Sequence, residues 1–97
     1  MSYTIETPIG TLRMSVRAAK QINATCGNYF EQLQGLVANN FSTYVAIAAA
    51  GLDRRPADIE SEVFAAGLDV LNEPLTKFIK SLISGGRDPD AEPTANS

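Results

Sequence analysis

Apolar and polar positions alternate at the start of the chain. Tyr3, Ile5 and Thr7 fall on one side of an extended segment, and Thr4 and Glu6 fall on the other. Beyond Pro8, Ile9 and Gly10 the alternation resumes, with Leu12, Met14 and Val16 apolar against Arg13 and Ser15. Period-two patterning on both flanks of a short loop predicts a β-hairpin. Pro8 suits the first central position of a type I turn, and Gly10 suits the left-handed residue that completes a three-residue loop. A lone hairpin is marginal in water, so its apolar face must rest on the segments that follow.

The period then changes to that of helices. Ser15 is placed to cap "VRAAKQINATC", which Gly27 stops; Ala18, Ala19, Ile22 and Cys26 share one face, with Arg17 and Lys20 pointing away. Asn28 and Glu31 stand in capping-box spacing at the head of a second helix, where Tyr29, Phe30, Leu33, Leu36 and Val37 supply the apolar side. A third helix, "TYVAIAAA", capped by Ser42 or Asn40, is apolar nearly all round and should be the buried centre. In "RRPADIESEVFAAG" Pro56 lies near the first helical position. Asp58, Glu60 and Glu62 lie toward the positive end, and Ile59, Val63, Phe64 and Ala66 face inward.

The last helix has the clearest stripe: Leu71, Leu75, Phe78, Ile79 and Leu82, with Lys77 and Lys80 opposite. Pro74 conflicts with a long helix, so the reading starts it at Asn72–Glu73 with Pro74 in its first turn. From Ser84 the periodicity ends in "SGGRDPDAEPTANS", which reads as one domain over 1–86 followed by a disordered tail over 87–97.

The letters AAGL occur twice, at Gly51 and at Gly67, each time after an apolar run and before an aspartate. A helix that runs into glycine and then a hydrophobic residue carries the signature of a Schellman C-cap, so both glycines are expected just past a helix end. The fold class that follows is α+β: an N-terminal two-stranded antiparallel hairpin packed on about five short helices. The expected core is Leu12, Met14, Ile22, Leu33, Leu36, Val45, Ile47, Ile59, Val63, Phe64, Leu71, Phe78, Ile79 and Leu82.

Composition narrows function mainly by exclusion. The 97 residues include no histidine and one cysteine, so neither an internal disulfide nor a cysteine-rich zinc site can form. Cys26, on the apolar face of its helix, reads as a structural thiol. The glycines follow helices and do not lead from a strand into a helix, so no phosphate loop is present. Nothing is arranged for catalysis, for a cofactor or for a metal, and the chain reads as non-enzymatic. Eight basic residues against eleven acidic give a net charge of −3, which disfavours a general nucleic-acid binder. "MSYTIETPIG" has no basic start or apolar run of a signal peptide, and no stretch nears the roughly 18 apolar residues of a membrane span. A cytoplasmic location is therefore expected.

The order of "GTLRMSVRAAKQINATCG", "FSTYVAIAAAGL" and "ADIESEVFAAGLDVLNEPLTKFIKSLISG" resembles the small tail-assembly-chaperone family of phages and gene transfer agents. The resemblance rests on Leu12, Met14, Gly27, Phe41, Ser42, Ala50, Gly51, Leu52, Gly67 and Leu68, and it spans about residues 3 to 86. It departs at Asn23, where family members often carry a glutamate. By this resemblance the chain would bind a tape-measure protein and tail-tube subunits during assembly, from a prophage or gene-transfer-agent cluster, and would not stay in the finished particle.

Two classes of function remain open. An assembly chaperone would use an edge of the hairpin and its neighbourhood, with Tyr3, Ile5, Arg13, Arg17 and Lys20 as candidate partner-binding residues. A small nucleic-acid-binding or regulatory domain would use Arg13, Arg17, Lys20, Arg54 and Arg55. Oligomeric state is not written in the pattern.

Overall fold

The computed structural model describes residues 4–85. They form β1 (Thr4–Thr7), β2 (Gly10–Arg13), α1 (Val16–Cys26), α2 (Tyr29–Val37), α3 (Phe41–Leu52), α4 (Pro56–Ala66) and α5 (Leu68–Ile83). This is the α+β architecture expected from the pattern. The proposed tail over 87–97 and Tyr3 lie outside the described residues.

β1 and β2 pair antiparallel with Ile5 opposite Leu12, and both side chains are buried. On the other side of the sheet the Thr11 hydroxyl donates to the Glu6 carboxylate at 2.9 and 3.0 Å. The turn is tighter than expected, because Thr7 pairs with Gly10 and only Pro8 and Ile9 lie between the strands. Thr7 itself closes it: its hydroxyl donates to the Gly10 carbonyl at 2.7 Å and accepts from Ile9 N–H at 3.2 Å. Gly10 has the positive φ that was anticipated, 138°, but as a strand residue. β2 also ends sooner than "TLRMSV" suggests, since Val16 opens α1 and is exposed.

The helix starts follow the polar signals. Ser15 accepts from Ala18 N–H at 3.0 Å, Asn28 and Glu31 make the reciprocal box at 2.8 and 2.9 Å, and Asn40 heads α3. α3 is the centre: every residue from Tyr44 to Gly51 is buried, and α1, α2, α4, α5 and β2 all pack against it. Tyr44 carries the polar exception. Its hydroxyl donates to the Leu36 carbonyl at 2.8 Å and accepts from the Asn72 amide at 2.7 Å, which ties α2, α3 and α5 together without an unpaired buried group.

The structure corrects the glycine punctuation at Gly51. That residue lies inside α3 and is buried, and a Cβ there would stand 2.7 Å from Leu12 Cδ2 and 3.0 Å from Phe78 Cζ. Its role is close approach of the helix to the hairpin and α5. The cap falls two residues later, with Asp53 in the left-handed region (φ 58°, ψ 45°). Arg54 N–H bonds Ala49 O at 3.0 Å and Asp53 N–H approaches Ala50 O at 3.4 Å, the bond pair of a Schellman motif. Asn39 (φ 57°) ends α2 in the same way, with Asn40 N–H on Gly35 O and Asn39 N–H on Leu36 O. Asn and Asp tolerate this conformation because their short polar side chains bond locally. Gly67 fits the expectation better: it stands between α4 and α5 with φ 93°, although its ψ of 135° is not left-handed.

Two further expectations give way. α5 starts at Leu68, so Pro74 sits in its interior and not in its first turn. Its missing N–H removes one bond, to the carbonyl of Val70, an exposed residue where water can serve that oxygen. Phe64, expected in the core, is 79% exposed, because α4 buries the narrow row Ile59–Val63 and Phe64 lies about 100° round from Val63. Phe30 (78% exposed) and Val37 (79%) likewise leave the core. α2 turns Gln32 and Leu36 inward instead, and the Gln32 amide is satisfied by the Gly27 carbonyl at 2.7 Å. The other expected core residues hold, with Met14, Leu33 and Leu82 partly buried against the cluster and Ile5, Ala18, Tyr44 and Leu75 added to it.

Candidate functional site

The structure divides the candidate residues. Ile5 is 7% exposed and packs inward beside Leu12, so it is a core residue and is withdrawn from the binding set. Tyr3 lies outside the described residues. Arg13, the last residue of β2, and Arg17, in the first turn of α1, come together on the walls of one groove of about 390 Å³. Met14, Ala18, Ala50 and Gly51 give that groove an apolar floor of mostly small residues. Thr4, Ser15 and Asp53 complete its lining.

The local fold explains this meeting. Ser15 stops β2 and starts α1 within two residues, so Arg13 and Arg17 stay on either side of a sharp bend. The cap at Asp53 ends α3 at the same place, and the Asp53 carboxylate pairs with the Arg17 guanidinium. Both partners are largely exposed, so the pair holds geometry more than it adds stability, at about 0–1 kcal/mol. Lys20 follows Arg17 by three residues and so shares its side of α1. Arg13 and Lys20 carry no acid partner among the described residues.

The remaining arginines of the nucleic-acid reading are engaged elsewhere. Arg54 grips Glu62 through two bonds, at 2.8 and 3.0 Å, and Arg55 holds Asp58 at 3.0 and 3.3 Å. The hydrogen bond from Arg54 lowers the Glu62 pKa below the usual carboxylate value, and the same bond raises that of Arg54.

A second groove, of about 480 Å³, lies between the end of α1, α2 and the start of α3, with Cys26 and Gln34 on its walls. Burial pushes the Cys26 thiol up, which favours the protonated, unreactive form. Among the described residues no group of three or more Cys, Asp or Glu side chains is placed to hold a metal ion. Asn23, at the point where the resemblance departs, donates from its amide to the Gly27 carbonyl at 3.0 Å. A carboxylate, which only accepts when ionised, could not make that bond.

Sequence reasoning missed one surface feature. Phe30, Gln34 and Val37 share an exposed face of α2, at spacings of four and three residues. The signal was present, but the same periodicity describes a core-facing stripe, and only the burial of Gln32 separates the two.

No protein-family model matches the chain, and neither the curated proteins nor the solved structures searched contain a match. Among the described residues no helix is long and apolar enough to cross a membrane.

Proposed function

We propose that this chain is a non-catalytic, cytoplasmic assembly chaperone for a phage-like or gene-transfer-agent tail, which binds tape-measure and tail-tube proteins. The observation that carries the reading is the junction of β2 and α1. There a two-stranded sheet, whose strands each keep an outer edge among the described residues, adjoins a groove with cationic walls and an apolar floor. An extended segment of a partner can add to such an edge while its side chains enter the groove. The order of hairpin, glycine-stopped helix, apolar central helix and two further helices supports the same reading through the family resemblance.

Nucleic-acid binding is the weaker reading. Arg17, Arg54 and Arg55 are each occupied by an acid, and a protein that contacts several phosphates needs its cations free. Co-expression of the chain with any tape-measure and tube proteins encoded beside it is the direct test. Co-purification with at least one of them is expected. Recovery of the chain alone, with both partners soluble, would remove the proposal.

A further inference from the structure

Charge is distributed unevenly along this chain. Positions 7–30 hold no aspartate or glutamate, and Arg13, Arg17 and Lys20 all fall within them, in a chain whose net charge is −3. The fold keeps that asymmetry. Among the described residues, Glu6 accepts from Thr11 on the outer face of the hairpin, and Asp53 is taken by Arg17. Among these residues no acid pairs with the Arg13 guanidinium on the groove wall, and Lys20 extends the cationic side of α1 by one turn beyond Arg17. Small residues on the floor, Ala18 and Ala50 among them, let a main chain approach closely while the guanidinium reaches over it.

We infer that the β2–α1 junction recognises an extended, carboxylate-bearing segment of its protein partner. Arg13 is the principal anchor, Lys20 is a second contact, and Arg17 is held in place by Asp53. This rests on the proposed role as a partner-binding chaperone and adds to it the chemistry of the partner. A planar guanidinium matches a carboxylate with two parallel hydrogen bonds, so Arg13 supplies orientation as well as attraction. Aspartate or glutamate at alternate positions of an added strand would face one side and meet this wall together.

The test uses the full chain and two synthetic peptides, one of alternating threonine and aspartate and one of alternating threonine and asparagine. Binding is followed by amide chemical shifts. The aspartate peptide is expected to shift Leu12–Lys20 and Ala50–Asp53, to lose affinity steeply with added salt, and to bind the double variant Arg13→Ala/Lys20→Ala about tenfold more weakly or worse. Both substituted side chains are exposed, so circular dichroism of the double variant should match the parent. Equal binding of the two peptides, retention by the double variant, or no binding of either peptide would overturn the inference. So would the same shifts on neutralising Asp88, Asp90 and Glu92 of the chain itself without any response to peptide, because the chain's own acids would then be the occupant. If the double variant still co-purifies with tape-measure or tube protein, the inference falls and the chaperone reading stands. If the parent chain captures neither, the chaperone reading itself falls.

Discussion

Gly51 shows how much of this fold turns on one missing methyl group. It sits where α3, β2 and α5 converge, and a Cβ would lie 2.7 Å from Leu12 and 3.0 Å from Phe78, both fully buried. Neither side chain can yield toward solvent, because both are fully buried. Gly51→Ala is therefore expected to destabilise the chain by about 1–3 kcal/mol despite the gain in helix propensity, as read by denaturant midpoint. If Gly51 were a helix cap beyond α3 it would need a positive φ, and it has none. Sequence could place Gly51 beside a helix end but could not tell a capping glycine from a packing glycine. The difference lies in which residues of distant strands and helices touch it.

At the scale of elements, the polar punctuation was the most legible part. Ser15, Asn28 with Glu31, and Gly27 bound α1 and α2 where their local chemistry says they should, because a cap depends on neighbours within four residues. Faces were less legible. Phe30, Val37 and Phe64 carry the apolarity of core residues, yet the helices are buried along narrower rows, Gln32–Leu36 and Ile59–Val63. How wide a stripe is covered depends on the helices packed against it, which a local period does not report.

Pro74 gives the sharpest contrast between the two readings of α5. As an interior residue it omits one backbone bond, so Pro74→Ala is expected to raise stability by about 1–3 kcal/mol in thermal or urea unfolding. A first-turn proline would instead lose its preorganised φ on substitution, and stability would stay level or fall.

For the whole molecule, the exposed Arg54–Glu62 pair sets a pH dependence more than a stability level. The Glu62 pKa is lowered in the folded chain by the Arg54 bond. The pair's contribution is thus fully present above the ordinary glutamate value of about 4.3, and is lost as pH falls through the lower folded value. The stability difference between the parent chain and Glu62→Gln is expected to be constant near neutrality and to vanish in that acid window. Unfolding midpoints across pH will show it. A gap that widens on acidification would be inconsistent with the Arg54 bond as its cause.

The architecture was readable because hairpin alternation and helical stripes are properties of neighbours in sequence. The candidate site was readable only in part. Arg13, Arg17 and Lys20 read from the pattern as scattered surface charges more readily than as a cluster, whereas the structure brings Arg13 and Arg17 to one groove, and Ile5, a candidate binding residue, faces Leu12 in the core. Arg17's bond to Asp53 joins residues 36 positions apart, beyond the reach of any local pattern.

The claim on which the functional account turns is that recognition happens where the hairpin meets α1. Titration of the isotopically labelled chain with the tape-measure or tail-tube protein of the proposal, followed amide by amide, tests that most directly. The expected result is a set of shifts confined to Gly10–Lys20 and Ala50–Asp53. Shifts centred on the exposed Phe30–Val37 face of α2, with the β2–α1 junction silent, would contradict it.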